Sequence, residues 1–521
     1  MNIAIIPARG QSKRIPKKNI KNFFGKPLIA WSIEAAQRSG LFDHIIVSTD
    51  CKEIAEVAKN LGAEVPFMRP SELSDDYVAT GPVIKHALQW GIEHLGQIDF
   101  VCTIYATAPF ITSADLVQGL SMLVKSGRKI SFTVTTYPFP IQRALKIMKH
   151  GDVVMFQKRY YKTRSQDLEV AYHDAAQFYF ATPDAVLNDL PVFSHKSLPL
   201  ILPRHKVQDI DTFEDFSVAE SMYAYIQSQK KRVSKLCIGT AQFGMQYGIA
   251  NQTGQIDSHE AQKILQLASA NGIHVLDTAR AYGESEATLG KIGVKDYNVV
   301  TKLFALPDDC TNVGEWVKEQ IAVSLSLLGV AKLYGLLLHR PEQLLGLNGK
   351  KLYQALQYLK ESGVVQKIGV SIYAPSQLDE LIHQYQFDIV QAPFNIMDQR
   401  LKTTGWLYKL KDHDCELHVR SVFLQGLLLM PFDAIPSKFL KWRKLWKKWY
   451  SWLSQENISP IRACISFLLT YQEIDKFIVG VDSTSQLQEI IIASGSDIVH
   501  SKPDFHVEDE MLLNPSYWSQ L

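Results

Sequence analysis

The sequence predicts two α/β bodies in tandem, an N-terminal sheet domain followed by a C-terminal (β/α)8 barrel of the TIM type. At 521 residues the chain exceeds the size at which one hydrophobic core keeps growing, so two or more domains are expected. From Asn2 to about Tyr225 short apolar runs alternate with helix-like segments, which is the pattern of an α/β sheet. After a polar, basic stretch the alternation restarts, and eight strand candidates fill a length that suits a (β/α)8 barrel.

In the first body the strand candidates are residues 3–6, 44–48, 100–104 and 130–135, with a helix candidate at 29–38 between the first two. A helix candidate at 213–227 runs into Ser228, Gln229, Lys230, Lys231 and Arg232, which lack hydrophobic periodicity and read as a linker. Domain boundaries of 1–228 and 235–521 follow, with 229–234 between them. The barrel strands are expected at residues 236–238, 274–276, 298–301, 334–338, 367–370, 389–391, 417–420 and 476–479.

Composition narrows the function. Lys and Arg number 55 against 53 Asp and Glu, so there is no strong basic field for a polyanionic backbone, and nucleic acid is not an expected partner. The six cysteines are scattered without metal-ligand spacing, which fits reduced thiols rather than disulfides or structural zinc. The opening apolar strand precedes Arg9, Lys13 and Arg14, the wrong charge order for a secretory signal. No apolar run reaches the eighteen or so residues of a membrane span. A cytoplasmic protein without a membrane span is expected.

The first candidate site begins where strand 3–6 runs into Pro7-Ala8-Arg9-Gly10-Gln11-Ser12-Lys13-Arg14-Ile15-Pro16-Lys17-Lys18-Asn19. Gly10, Ser12 and five cations there suit a triphosphate, through backbone amides and positive charge; on charge alone a solvated surface loop reads equally well. Late in the same body Gln208-Asp209-Ile210-Asp211-Thr212 sets two carboxylates at i and i+2, on one side of an extended segment. Paired hard oxygens suit magnesium, which takes one or two carboxylates together with substrate phosphate oxygens. The competing use is capping of the helix that starts at Phe213.

These motifs, together with Gly25-Lys26-Pro27-Leu28, Ser48-Thr49-Asp50 and Arg69-Pro70, occur in an order that resembles the acylneuraminate cytidylyltransferases, over residues 1 to about 225. The resemblance implies a nucleotide-binding sheet domain of the nucleotide-diphospho-sugar transferase kind. It implies that Arg9, Gly10, Ser12, Lys13, Lys18, Asn19 and Arg69 hold CTP, that Asp209 and Asp211 hold Mg2+, and that Arg9, Lys18, Asp209 and Asp211 serve the chemistry. That chemistry is transfer of CMP to a nine-carbon acidic sugar with release of pyrophosphate. Tyr105-Ala106-Thr107-Ala108-Pro109-Phe110 departs from the Gln-Pro-Thr-Ser-Pro of sialic acid synthetases. With His173-Asp174-Ala175-Ala176-Gln177-Phe178-Tyr179 it is similar to the pseudaminic acid branch, which assigns Tyr105, Thr107 and Gln177 to the sugar; legionaminic and N-acetylneuraminic acids are the alternatives. A homo-oligomer is expected.

The second candidate site follows from the barrel, whose chemistry lies at the carboxyl ends of the strands. Those positions carry Asp277, with Tyr282 in the loop beyond, then Lys302, His339, Ser371 and Gln391. Asp, Tyr, Lys and His make a proton-relay set: a tyrosine acts as an acid near neutrality when a nearby cation lowers its proton affinity, and Lys302 is the candidate cation. Each residue taken singly also reads as a buried ion pair, a strand cap or a core histidine.

Together with Gly239-Thr240-Ala241-Gln242-Phe243-Gly244, Asp277-Thr278-Ala279-Arg280-Ala281-Tyr282-Gly283, Gly369-Val370-Ser371 and Gln425-Gly426-Leu427-Leu428 the set resembles the aldo-keto reductases, over residues 235 to about 495. The resemblance implies that Asp277, Tyr282, Lys302 and His339 form a catalytic tetrad. It implies a nicotinamide cofactor, NADPH or NADH, held by Ser371, Gln391, Ser421, Gly480 and Ser483. Segment 479–486 lacks the Lys and Arg with which many members grip the 2′-phosphate of NADP. A carbonyl reductase serving the same sugar pathway is expected; the alternative makes the barrel a non-catalytic scaffold or dimerisation module.

Trp442, Trp446, Trp449 and Trp452 share one face of a basic helical segment. Such a helix can lie on an anionic membrane or pack its aromatic stripe against the barrel with lysines outside; the packing use is favoured.

Overall fold

Asn-Ile-Ala-Ile-Ile-Pro, with no charge and four apolar side chains in succession, is the composition of a strand covered on both faces, and in the computed structural model it forms β1 (Asn2–Pro7), with Ile3, Ala4, Ile5 and Ile6 fully buried. The structure describes residues 1–521 except 76, 252 and 253. The chain divides into two compact units, Met1–Ile226 and Gln227–Leu521.

In the first unit β1 is joined by β2 (His44–Ser48), β3 (Phe100–Ile104), β4 (Ile130–Thr136), β5 (Tyr172–Ala181) and β6 (Ser197–Ile201) in one sheet of order β6-β4-β5-β3-β1-β2. β5 runs antiparallel to both neighbours and the other pairs are parallel. Ile29 and Ile33 of helix Leu28–Ser39 and Leu116 and Leu123 of helix Ser113–Ser126 close one core. Ile84, Ala87 and Leu88 of helix Thr80–His94 close another. The strand order reverses beside β1, so the crevice beyond the carboxyl ends of β1 and β3 is where an open α/β sheet receives ligands.

The first four strands fall where the sequence puts them; β5 and β6 lie outside the expected strands. β5 hides its pattern because its pairing with β4 shifts register between Phe132 and Val134, with Ala176 at φ +48° inside the shift, so apolar residues lose their strict alternation. β6 carries Pro199 and lies at the sheet edge, where proline is tolerated.

The second unit is a closed barrel of β7 (Leu236–Gly239), β8 (Val275–Asp277), β9 (Asn298–Leu303), β10 (Leu333–Leu338), β11 (Val365–Ser371), β12 (Ile389–Pro393), β13 (Glu416–Arg420) and β14 (Lys476–Gly480). All eight overlap the expected strands. Cys237, Val275, Val300, Leu337, Ile389 and Ile478 form one buried cluster, so the barrel is filled rather than open. Trp446, Trp449 and Trp452 of helix Arg443–Glu456 are buried in the core of this unit, the packing use of that stripe. Among the described residues no helix is long and apolar enough to cross a membrane.

Candidate functional sites

Beyond β1 the basic loop is shaped by short contacts. Gly10 donates its backbone N–H to Asp50 Oδ1 at 2.7 Å, and a Cβ at residue 10 would stand 2.6 Å from Cys51 Cβ, so only glycine fits. Asn19, nearly buried, donates through Nδ2 to the Arg9 carbonyl at 2.9 Å and pins the two ends of the loop together. Arg69 is buried against the end of β2, with Nε on Ser48 Oγ at 3.2 Å and Nη2 on the Ser48 carbonyl. Burial lowers its proton affinity and Asp50 opposes that shift. Arg9, Ser12, Lys13, Arg14, Lys18, Asn19 and Arg69 all face one cavity of about 480 Å³.

Asp211 lines the same cavity. Its carboxylate is 2.8 Å from Arg14 Nη2 and 3.1 Å from Lys18 Nζ, while Lys18 also donates to the Ile210 carbonyl at 2.5 Å. The late acidic segment and the opening loop thus meet. Capping does not account for the two aspartates: Thr212 Oγ1 accepts from Asp215 N at 3.2 Å and Asp215 Oδ2 accepts from Thr212 N at 2.8 Å, a reciprocal cap for helix Phe213–Val233. The Asp209 carboxyl makes no hydrogen bond or ion pair among the described residues, and its proton affinity is raised by desolvation and then by Asp211, against Lys18. A carboxyl whose ionisation is opposed by burial and by the neighbouring Asp211, with Asp211 on the wall of a cavity lined by phosphate-type cations, fits a hard divalent cation.

Tyr105 and Thr107 line the cavity wall beyond β3. Gln177 does not: it is 1% exposed, its Nε2 donates to the Ala175 carbonyl at 2.9 Å, and its Oε1 is buried without a partner. It meets Tyr105 through the backbone, where Tyr105 N donates to Gln177 O at 3.0 Å. The site also includes Arg14 and Asp50, which the residue assignment above omits. The loop's charge count contains Arg14, but spacing does not tell it from Lys17, whose ammonium goes to Glu53 at 2.7 Å instead.

In the barrel, Lys302 Nζ lies 2.8 Å from Asp277 Oδ1, 2.7 Å from Oδ2 and 2.9 Å from the Thr278 carbonyl, with both side chains buried. Gln391 Nε2 donates to Asp277 Oδ1 at 2.7 Å and Ser371 Oγ donates to Gln391 Oε1 at 3.1 Å. Four polar side chains, Lys302, Asp277, Gln391 and Ser371, thus form one hydrogen-bonded chain across β9, β8, β12 and β11 without a gap. Lys302 Nζ sits 5.0 Å from the centre of the Tyr282 ring, which meets the His339 ring edge to face at 6.1 Å. The hydroxyl of Ser371, at the end of β11, and the carboxamide of Gln391, inside the adjacent β12, are bonded to each other and have the donors and acceptor that a nicotinamide carboxamide can exchange with.

The electrostatics differ from expectation in one respect. Burial, followed by Asp277, pushes the Tyr282 phenol well above its ordinary value, and the cation that works against this is Arg420 rather than Lys302. Lys302 is engaged face-on by Asp277, so its charge is largely cancelled at the phenol. His339 is lowered to about 4, by burial first and then by Lys302 and Arg420.

Ser421 stands at φ +58° in a turn that continues through Leu424, Gln425 and Gly426, all at positive φ, a strained segment of the kind that gathers at functional sites. A Cβ at Gly480 would lie 2.5 Å from Gln242 Nε2. Ser483 caps helix Thr484–Gly495 by accepting from Gln486 N at 3.2 Å, beside the positive end of that helix.

Two family models match the chain, cytidylyltransferase over residues 3–248 and the aldo/keto reductase family over residues 235–502. Over 223 residues the chain is 46% identical to a pseudaminic acid cytidylyltransferase of Campylobacter jejuni subsp. jejuni, a match covering 43% of this chain and 96% of that protein. It is 30% identical over 232 residues to a CMP-N,N'-diacetyllegionaminic acid synthase of Legionella pneumophila subsp. pneumophila, covering 42% of this chain and 95% of the relative. A solved aldo-keto reductase from Bacillus halodurans, in its holo form, is 18% identical with a TM-score of 0.42, covering 51% of this chain and 88% of the other. One polypeptide therefore joins two enzymes, and the chain belongs to the cytidylyltransferase family by its first unit and to the aldo/keto reductase family by its second.

Proposed function

We propose that the first unit transfers CMP from CTP to pseudaminic acid, releasing pyrophosphate, and that the second reduces a carbonyl compound of the same sugar pathway with a nicotinamide cofactor. The observation that carries the first half is the meeting of Arg9, Lys13, Arg14, Lys18 and Arg69 with Asp211 around one cavity; the name of the 46% identical relative supports the acceptor. The anomeric hydroxyl of the sugar attacks the α-phosphorus of CTP, and the leaving pyrophosphate draws charge onto oxygens that the loop cations stabilise. Magnesium, held by Asp209 and Asp211, supplies further charge neutralisation there when bound. Tyr105 and Thr107 present hydroxyls to the acceptor.

Gly10 permits the nucleotide's close approach. Gly10→Ala forces its new methyl against Cys51, and displacement of the loop is expected to weaken CTP binding by roughly tenfold, measured by equilibrium dialysis; unchanged affinity would show that the loop does not touch the nucleotide.

For the barrel, the unbroken Lys302–Asp277–Gln391–Ser371 chain supports the reductase reading. Reduced nicotinamide supplies hydride when bound. Tyr282 gives a proton to the carbonyl oxygen, and His339, neutral near pH 7, orients that oxygen. Because His339 is lowered to about 4, its protonation is complete only well below pH 5, so kcat/KM for reduction is expected to stay flat between about pH 5.5 and 8. An inflection near the ordinary histidine value of about 6.5 would remove His339 from that role. Segment 480–486 carries Asp482 and no Lys or Arg, so NADH is expected to serve at least as well as NADPH.

Purified protein incubated with CTP, Mg2+ and, separately, pseudaminic, legionaminic and N-acetylneuraminic acids tests the first half by pyrophosphate release. Highest turnover on pseudaminic acid is expected. A higher rate on another acid changes the acceptor, and no turnover on any of them overturns the transferase reading. Failure to bind either nicotinamide cofactor would make the barrel a scaffold.

A further inference from the structure

We infer that Arg420 makes the carbonyl site of the barrel selective for a substrate bearing an anionic oxygen group, a carboxylate or a phosphate, near the carbonyl it reduces. This inference rests on the reductase reading and adds the chemical class of its substrate.

Arg420 is the last residue of β13, on the rim that carries Asp277 at the end of β8 and Lys302 near the end of β9. Its Nη2 donates to the Ile372 carbonyl at 2.9 Å, its Nη1 reaches Ser421 Oγ at 3.4 Å, and its guanidinium carbon lies 4.6 Å from the centre of the Tyr373 ring. Ile372 and Tyr373 follow directly on Ser371, so the guanidinium rests beside the strand end proposed to meet the nicotinamide.

Every one of those partners is neutral. Among the described residues Arg420 makes no ion pair, although it is partly buried. Neighbouring arginines of this unit are different: Arg280 is paired with Glu286 at 3.0 Å and Arg400 with Asp398 at 2.8 Å. A partly buried guanidinium without a carboxylate carries a desolvation cost that an anionic ligand can offset.

Charge balance at the centre points the same way. Asp277 and Lys302 cancel in their face-on pair, and Tyr282 and His339 are neutral near pH 7. Of the cations that act on His339, Lys302 is paired with Asp277 and Arg340 with Glu342, and Arg420 is the one without an ion pair among the described residues. Its field reaches both Tyr282 and His339, whose proton affinities it lowers, and it acts likewise on Tyr247. An anion bound to it stands next to the reacting atoms. The guanidinium's planar donors suit a carboxylate or phosphate edge better than an ammonium would.

The chemistry balances without the anion taking part. A bound reduced nicotinamide would supply the hydride for the new C–H bond at the carbonyl carbon, and Tyr282 would give its proton to the carbonyl oxygen, so that an alcohol and oxidised nicotinamide would result. Tyr282 regains its proton from solvent. Arg420 only holds the substrate's charged end.

The test compares NADH oxidation by the full chain with 4-carboxybenzaldehyde and with its neutral ester, methyl 4-formylbenzoate. Wild type is expected to favour the acid in kcat/KM by about tenfold or more, mostly through KM, with the preference shrinking as salt rises. Arg420→Gln is expected to abolish the preference, Arg420→Lys to keep part of it, and both to bind NADH, followed by its fluorescence, as wild type does. Equal use of the two aldehydes by wild type, or a preference that survives in Arg420→Gln, overturns the inference. So does a weakened NADH affinity with both aldehydes losing equally, which would give Arg420 to the cofactor's phosphates. If neither aldehyde is reduced, the reductase reading fails separately. Calorimetric titration with 4-carboxybenzaldehyde then decides: binding lost in Arg420→Gln upholds the anion site, and identical or absent binding in both proteins overturns it.

Discussion

Asp211→Asn is expected to slow pyrophosphate release by about a hundred- to a thousandfold while CTP affinity changes by less than about threefold. The side chain stands where the late segment meets the opening loop, 2.8 Å from Arg14 and 3.1 Å from Lys18. Asparagine keeps its size and removes its charge. The two cations remain available to the triphosphate, so ground-state binding survives, whereas an oxygen donor to the divalent ion is lost where transition-state charge develops. The reciprocal cap between Thr212 and Asp215 is untouched, so helix content by circular dichroism is expected to match wild type. Turnover near the wild-type rate would show that Asp211 serves only to neutralise Lys18 and Arg14.

Tyr282→Phe is expected to reduce nicotinamide oxidation by about a thousandfold or more, since a positioned general acid contributes roughly 10²–10⁴-fold. CMP transfer is expected to be unchanged. The phenol is the one tetrad group able to donate near pH 7: Lys302 is held by both Asp277 oxygens and His339 is neutral. Removal of one oxygen from the ring leaves the Asp277–Lys302 pair intact, so NADH affinity is expected to stay within about threefold. A Tyr282→Phe protein that still oxidises NADH with the aldehydes at the wild-type rate would move the proton donor elsewhere.

Much of the architecture is written locally. A parallel barrel strand is covered on both sides, so each reads as a short apolar run, and eight runs in succession place a rim whose polar residues can be named before any coordinates exist. That rule located Asp277, Lys302, His339, Ser371 and Gln391. It also contained Arg420, the final residue of the seventh expected strand, but residue type alone does not tell a solvated arginine from one facing Tyr282. Nor does it tell which cation acts on a given phenol: Lys302 is five ångströms from the ring yet occupied by Asp277. In the first unit the loop and the two aspartates are legible as motifs. Their meeting joins Lys18 to Ile210 across a sequence separation of 192, which no local pattern encodes. β5 stayed hidden because a bulge at Ala176 breaks its alternation, and the same bulge turns Gln177 into the strand instead of the cavity.

The central claim is that Asp209 and Asp211 share one divalent ion with the triphosphate that the opening loop holds. Crystals of the full chain grown with CTP and Mn2+, measured at the manganese absorption edge, test it most directly. A single anomalous peak is expected between the two carboxylates and the nucleotide phosphate oxygens, with Arg9, Lys13 and Lys18 on the same phosphates. Nucleotide bound on the loop with manganese absent from both aspartates, or nucleotide bound away from the loop, would contradict it.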